Sequence, residues 1–199
     1  MSIRKVVRYG EDSLRQLSKE VHKVSQKVKN LVADLLDTMY AQNGVGLAAP
    51  QIGENYRVFV IDVSTGNEPL NPMVFINPKI IKKSGAVISH EGCLSFPEAF
   101  TDVRRYSDVM VKAMDRNGRS FVLEAKDGSL LARAIQHEFD HLDGILFIDH
   151  VINRFEAEEV LKKFNLPPIQ IEKLLDEPEL EAKIEELLKQ KVKSEEKND

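Results

Sequence analysis

Two histidines and a glutamate stand at a spacing that can hold a metal ion and activate water. They belong to residues 137–141, which read HEFDH. Residues four apart lie on one face of an α-helix, so His137 and His141 can direct their imidazoles at one point. Glu138 is offset from that line, close enough to act as a general base on a water molecule there. The spacing predicts the chemistry of a metal-dependent hydrolase.

The sequence around this motif has the apolar period of a buried helix. Apolar side chains recur at steps of three and four at Leu130, Leu131, Ala134, Ile135, Phe139 and Leu142. A buried helix tolerates charged groups when they are paired or bound to a metal. The alternative for the five motif residues alone is a solvated polar helix face. The apolar surroundings favour the metal site.

The third metal ligand has two sets of candidates. A catalytic metal keeps three protein ligands and one open position. Cys93 is the one cysteine of the chain and follows Gly92, where the backbone can bend toward a metal. The competing ligand is a downstream carboxylate, Glu158 or Glu159, as in many metallopeptidases with this motif. An inert buried thiol is the other role open to Cys93, so the residues alone leave the choice open.

A run rich in glycine and alanine occupies residues 44–53. Gly44 and Gly46 let the backbone lie close to another group. A phosphate-binding loop is excluded because no Lys-Ser/Thr pair follows, and because such a loop comes after a strand rather than a helix. On composition alone, the run is either a tight turn or a place of close backbone approach.

The remaining pattern predicts an α+β fold with antiparallel β-sheets packed around the central helix that bears the two histidines. An amphipathic helix is predicted over residues 28–42, ending at an Asn-Gly cap. Strands are predicted at 57–63, 74–78, 79–89 with a break at Gly85, 103–105, 107–114 and 120–125. Two further apolar-period stretches, 169–175 and 180–192, predict a helical C-terminal extension.

The composition is that of an ordinary globular protein. The chain has 199 residues, of which 42% are hydrophobic and 30% charged, and this suits one domain with a proper core. We expect no membrane partner, since no apolar run is long enough to cross a bilayer and the N-terminus has no signal-peptide pattern. A single cysteine excludes an internal disulfide, which fits a reducing cytosol.

The net charge of −4 does not indicate direct nucleic-acid binding. The charge is unevenly placed, because residues 172–199 contain ten acidic residues and six lysines. The whole excess of negative charge therefore lies in the C-terminal extension.

Three motifs together resemble those of the peptide deformylases. They are Gly44-Val45-Gly46-Leu47-Ala48-Ala49-Pro50-Gln51, Glu91-Gly92-Cys93-Leu94-Ser95 and His137-Glu138-Phe139-Asp140-His141, in this order and at similar spacing. The resemblance implies a catalytic domain over residues 1–165, followed by a charged helical extension over 166–199. It also implies hydrolytic removal of the formyl group from the N-terminal formyl-methionine of new polypeptides, with release of formate.

The resemblance assigns roles to individual residues. The metal ligands would be Cys93, His137 and His141, which settles the choice of third ligand. Glu138 would move the proton, while the side chain of Gln51 and the main-chain N–H of Leu94 would meet the developing oxyanion. An extended peptide and its methionine would be bound by Gly44, Val45, Gly46, Leu47, Gly92, Leu94, Leu130 and Ala134. The ligands would be steadied by Glu91 and Arg105, with Arg104 as an alternative.

The resemblance also implies a cofactor and partners. We expect one Fe²⁺ per chain in the cell, with Ni²⁺, Co²⁺ or Zn²⁺ able to substitute. The expected partners are nascent formyl-methionyl polypeptides in the bacterial cytoplasm, and a homodimer is a further expectation. In some relatives a basic C-terminal helix contacts the ribosome. The C-terminal extension of this chain is acidic and would be repelled by the phosphates of ribosomal RNA, so we do not expect this contact here.

Some positions depart from the commonest family pattern, and two other functions stay open on the residues alone. Ser89, His90 and the segment 98–100 differ, which leaves substrate preference beyond methionine undefined. One alternative function is a metallopeptidase whose third ligand is a glutamate. The other is a non-catalytic metal module closed by a fourth ligand, His90 or His150.

Overall fold

The computed structural model describes residues 2–64, 66, 68–169 and 177–195 of the chain. Seven strands lie within these ranges: β1 (Gly46–Ala48), β2 (Val58–Ile61), β3 (Met73–Ser84), β4 (Val87–Cys93), β5 (Phe96–Arg105), β6 (Asp108–Met114) and β7 (Ser120–Ala125). The α-helices are α1 (Gln26–Ala41), α2 (Leu130–Leu142), α3 (Arg154–Lys163) and α4 (Pro178–Glu195). One antiparallel sheet has the order β1-β2-β3-β6-β7, and the hairpin β4-β5 forms the other. The predicted α+β class is confirmed.

Most predicted elements appear within a few residues of their expected bounds. The largest difference is β5, which begins at Phe96, whereas the sequence predicted a strand only over 103–105. Pro97 and the positive φ of 62° at Glu98 interrupt the alternating pattern that identifies a strand, so the sequence did not predict the start of β5. The apolar stretch 169–175 lies almost wholly outside the described residues.

Strand β2 is covered on both faces, which explains its unbroken apolar sequence. Val58, Phe59, Val60 and Ile61 are all fully buried. Successive side chains of a strand point to opposite faces. Phe59 and Ile61 therefore join the core that α2 closes, while Val58 and Val60 pack with the apolar stripe of α1. The stripe predicted for α1 is core, as expected.

Helix α2 is fixed at its start and along one face. The Oγ of Ser129 accepts a hydrogen bond from the N–H of Ala132 at 3.3 Å, which caps the helix. Ala132, Ile135 and Leu142 are fully buried in the core beside the five-stranded sheet. This packing fixes the rotation of the helix and turns its histidines toward strand β4.

A bulge shapes the end of strand β4. Gly92 pairs with Phe100, but the next residue, Cys93, pairs with Phe96, so the register shifts between them. Such a bulge re-aims the side chain that follows it. A Cβ atom at Gly92 would lie 2.4 Å from the ring of Phe100, so the close pairing requires glycine.

The predicted C-terminal helix is present as α4 and packs on the body of the domain. Leu180 and Ile184 are buried in the same core as the apolar face of α2. Glu181 forms an ion pair with Arg104 of β5 at 2.9 Å. In the part of the chain that the structure describes, no helix is both long enough and apolar enough to span a membrane.

Candidate metal centre and pocket

Cys93, His137 and His141 each bring one ligand atom to a common point. The three atoms lie within 4.8 Å of one another, and no other group of this kind occurs among the described residues. The Sγ of Cys93 is 3.4 Å from Nε2 of His141. One thiolate and two imidazoles suit Zn²⁺, Fe²⁺ and other first-row transition metals. The donor set fits a divalent metal ion with three protein ligands.

Glu91 and Arg105 hold the imidazole of His137 in place. The Nδ1 of His137 lies 3.1 Å from Oε2 of Glu91, which directs its Nε2 toward the other ligands. Arg105 donates to the Glu91 carboxylate from Nε at 3.1 Å and from Nη2 at 2.9 Å. Burial alone would raise the pKa of Glu91, but the charge of Arg105 and the contact with His137 hold that pKa well below its usual range. An ionised partner of this kind orients a histidine ligand and makes it more basic.

Arg105 connects this pair to a second buried carboxylate. Its Nη1 lies 2.5 Å from Oδ2 of Asp140, and the same oxygen is 2.9 Å from Nε2 of His150. Burial would raise the pKa of Asp140, but the charges of His150 and Arg105 keep it well below its usual range. Each buried charge thus has partners, the condition for holding ions inside a protein.

Glu138 lines the pocket and is almost completely buried. The residue is 4% exposed, and its Oε2 has no hydrogen-bond partner in the described part of the chain. Burial raises the pKa of Glu138 to about 7, although the charge of His137 opposes the rise. A carboxylate that titrates near neutrality can both accept and return a proton.

The amide of Gln51 is locked in one orientation. Its Oε1 accepts a hydrogen bond from the main-chain N–H of Ala48 at 2.9 Å. The Nε2 group must therefore point the other way, where it lies 3.3 Å from both Cys93 Sγ and Ser95 Oγ. A buried N–H donor is thus held beside the ligand thiol.

A cavity of about 700 Å³ opens onto these groups. It is lined by nearly all of the predicted site residues: Gly44, Val45, Gly46, Gln51, Glu91, Gly92, Cys93, Leu94, Leu130, Ala134, His137 and Glu138. Leu47 is the exception among the predicted peptide-binding residues, since its side chain is fully buried in the core. The reason is strand alternation, which points Leu47 away from the face that Gly46 presents to the cavity.

Three of the residues that departed from the family pattern, His90, Glu98 and Phe100, line this cavity, while Ser89 and Ala99 are buried away from it. His90 and Phe100 both line it, and their rings stack with centroids 5.9 Å apart. Phe100 is 53% exposed. An aromatic surface therefore borders the opening.

The alternative metal ligands are engaged elsewhere. Glu158 and Glu159 lie on α3 and pair with basic residues of that helix at 3.2 and 3.8 Å. His90 lies 2.7 Å from a carboxylate oxygen of Asp102. None of these side chains, nor His150, belongs to the metal-binding group found among the described residues. Arg104, the alternative support residue, pairs with α4 instead of Glu91.

The sequence analysis missed the role of Asp140 and His150, since it considered His150 only as a possible fourth metal ligand and gave Asp140 no role. Asp140 lies inside the histidine motif, but nothing in its spacing links it to Arg105. The link forms only when β5, α2 and the short helical turn Phe147–His150 meet in the folded chain.

Comparison with known proteins gives a consistent result. The sequence profile of the family described as polypeptide deformylase matches residues 3–157. The chain is 47% identical over 150 residues to peptide deformylase 1 of Clostridium perfringens, an alignment that covers 75% of this chain and 99% of that protein. It is also 47% identical over 163 residues to the peptide deformylase of Caldicellulosiruptor bescii, covering 82% of this chain and 93% of that one.

Solved structures show the same similarity. A crystal structure of a peptide deformylase from Legionella pneumophila has a TM-score of 0.75 at 40% identity and covers 82% of this chain and 96% of its own. One from Synechococcus elongatus, solved in complex with actinonin, has a TM-score of 0.76 at 41% identity, with 82% and 90% covered. The family match ends before helix α4 begins.

Proposed function

The chain belongs to the polypeptide deformylase family, metal-dependent hydrolases that remove the N-formyl group from nascent peptides, and on that premise we propose which of its residues carry out the reaction. The observation that carries the proposal is the approach of the Cys93, His137 and His141 ligand atoms to within 4.8 Å, with Glu138 in the same cavity. Residues 1–165 form the catalytic domain in this proposal, and 166–199 form an extension.

Cys93, His137 and His141 hold the metal ion, one per chain. When bound, a divalent cation lowers the pKa of water and polarises the formyl carbonyl. We propose Fe²⁺ as the ion used in the cell, with Ni²⁺, Co²⁺ or Zn²⁺ able to replace it in the same donor set. A thiolate beside iron is open to oxidation, so faster loss of activity in air with Fe²⁺ than with Ni²⁺ is the expected result.

Glu138 moves the proton. Its carboxylate takes a proton from the water whose oxygen attacks the formyl carbon, and returns it to the amine nitrogen as the C–N bond breaks. Formate then carries the water oxygen, and the methionine amine carries the proton. Two observations support this role: Glu138 lines the cavity, and its buried Oε2 makes no hydrogen bond to the described residues that would compete with proton transfer.

Gln51 and the main-chain N–H of Leu94 stabilise the negative charge that develops on the formyl oxygen. Support comes from the hydrogen bond between Ala48 and Gln51 Oε1, which holds the Nε2 donor toward the cavity before substrate arrives. A donor fixed in advance stabilises the transition state without being reoriented during the reaction.

The substrate backbone binds along the edge of strand β1. Among the described strands β1 pairs only with β2, so its other edge, next to Val45 and Gly46, is free to add an extended peptide. Gly44 and Gly92 line the cavity beside this edge, while Leu130 and Ala134 provide apolar contacts for methionine. Main-chain pairing does not depend on side-chain identity, which suits nascent chains of many sequences.

We place the enzyme in the bacterial cytoplasm, where its nascent substrates are made; the relatives named above that come from bacteria support this location. Its acidic extension argues against docking on ribosomal RNA through this helix. A homodimer stays a prediction.

Formate release tests the assignment. The full chain, purified without oxygen and loaded with Fe²⁺ or Ni²⁺, is assayed on a formyl-Met-Ala-Ser peptide beside Cys93→Ser and Glu158→Gln. We expect Cys93→Ser to lose both stoichiometric metal and activity, while Glu158→Gln keeps both. The reverse result would mean that a carboxylate completes the site, as in a metallopeptidase.

A further inference from the structure

We propose that the C-terminal extension positions the metal centre, and that Glu177, one residue before helix α4, is its point of contact with the centre. The inference rests on the metal ligands assigned above. It adds a function for a segment that lies beyond the family match, which ends at residue 157.

A continuous series of ionisable side chains connects Glu177 to the ligand His137. The inner part is the series described above, from His137 through Glu91 and Arg105 to Asp140. His150 extends it, since its Nε2 is 2.9 Å from Asp140 and its Nδ1 is 3.9 Å from Oε2 of Glu177.

The buried imidazole of His150 lies between two carboxylates, those of Asp140 and Glu177. Its Nδ1 is buried and makes no hydrogen bond within the described chain, so the carboxylate of Glu177 is the acidic group that faces it. A cavity of about 550 Å³ adjoins the ring and is lined by His150, Asp140, Lys83 and Glu177. We infer that Asp140 and Glu177 together orient the ring.

Glu177 is itself firmly placed. Its Oε1 accepts a hydrogen bond from Nζ of Lys83 at 2.7 Å. The helix that follows is anchored by Leu180 and Ile184, which are buried in the core that also packs α2. Glu177 is therefore held in place by Lys83 and by the anchored helix α4, at the end of the series of side chains that leads to His137.

Removal of this carboxylate should loosen the network and speed the loss of metal. Changing a direct partner of a metal ligand typically costs about 10- to 100-fold in metal affinity. Glu177 acts through several contacts, so we expect an effect of about three- to tenfold, smaller than that of a direct partner.

The test measures how fast a strong chelator strips Ni²⁺ from the loaded, full-length enzyme. Glu177→Gln is compared with Glu181→Gln, a matched control four residues on in helix α4, whose carboxylate pairs with Arg104 at 2.9 Å and not with His150. Glu91→Gln is the positive control. The unfolding midpoint of each variant in excess chelator measures the purely structural cost of the substitution.

We expect Glu177→Gln to lose Ni²⁺ about three- to tenfold faster than wild type, and Glu181→Gln to lose it at the wild-type rate, with both unfolding midpoints lowered by similar amounts. Glu177→Asp keeps a carboxylate at this position and should lose Ni²⁺ at close to the wild-type rate. In a His150→Leu background, Glu177→Gln should add nothing further, because the contact that it acts through is already gone.

The inference would be overturned if Glu177→Gln and Glu181→Gln lost Ni²⁺ at equal rates, or if the effects of Glu177→Gln and His150→Leu on that rate were fully additive. In either case, fast loss of Ni²⁺ from Glu91→Gln would leave the assignment of the metal ligands intact. If Glu91→Gln and Cys93→Ser also release Ni²⁺ at the wild-type rate, the assignment of the metal ligands fails instead.

Discussion

The carboxylate of Glu138 lies against the main chain of Gly46, so closely that a Cβ atom at Gly46 would be 2.5 Å from its Oε1. The glycine of the first motif and the glutamate of the third are therefore complementary in shape. Gly46 leaves the space in which the proton-transferring side chain stands.

Substitution of Gly46 by alanine should therefore displace Glu138. We expect Gly46→Ala to lower kcat by at least about 100-fold, the lower range for loss of a general base. The unfolding midpoint should change little, because a flexible carboxylate moves in place of the backbone. In the double variant with Glu138→Gln, activity should be no lower than with Glu138→Gln alone; a further large drop would mean that Gly46 acts through another group.

Glu138→Gln should abolish proton transfer and leave the metal in place. The amide keeps the shape of the side chain but accepts no proton, so we expect kcat to fall by about 100- to 10,000-fold. Metal content, measured on the same samples, should remain at one ion per chain. Glu159→Gln, an exposed change on α3, is the control and should behave as wild type. Loss of metal from the Glu138→Gln variant would instead identify Glu138 as a metal ligand.

Gln51→Leu should reduce the chemical step more than binding. The substitution removes the Nε2 donor that is fixed beside Cys93, and removal of one oxyanion donor typically lowers kcat by about 100- to 1,000-fold. KM should change far less. Ser95→Ala is the control, since Ser95 touches the same Nε2 but supplies no donor to substrate in this proposal. An effect on KM alone would assign Gln51 to substrate binding.

The sequence predicted those helices and strands that have a clear local pattern of apolar residues. The helix of the histidine motif and the strand Val58–Ile61 follow from periodicity and an apolar run, and both lie within a few residues of the predicted bounds. Strand β5 was underestimated because Pro97 and the left-handed Glu98 break its pattern. Backbone conformations that only tertiary contacts stabilise leave no periodic signal.

The site could be predicted where motifs name the residues, but not where distant side chains meet. The ligand atoms of Cys93, His137 and His141 do converge, and the sequence resemblance had grouped them. The side chain of Leu47 points into the core, and this could not be predicted because a motif does not reveal which face of a strand each residue takes. The contacts of Asp140 and His150 depend on packing between elements far apart in sequence.

The hydrogen bond between Tyr40 and Asp62 supports the segment that borders the cavity, and it should make stability depend on pH. The OH of Tyr40 donates to Asp62 at 2.7 Å, and the N–H of Asp62 donates to the carbonyl oxygen of Val45 at 2.9 Å. Burial would raise the pKa of Asp62, but hydrogen bonds from Ser64, Tyr40 and main-chain N–H groups hold it below its usual value. This carboxylate therefore favours the folded state above its unfolded pKa of about 4, and the contribution is lost as the pH falls through the lower, folded pKa.

Tyr40→Phe should lower the free energy of unfolding at neutral pH by about 1.5–3 kcal/mol, the range for a hydrogen bond to a charged group. The difference from wild type should shrink as the pH is lowered and Asp62 becomes protonated. Urea unfolding over this pH range measures both effects. Tyr56→Phe is the matched control, because the Tyr56 hydroxyl accepts a hydrogen bond from the exposed amine of Lys27 instead of donating to a carboxylate. This variant should show no such pH dependence. A Tyr40→Phe difference that is constant with pH would show that the tyrosine contributes by packing alone.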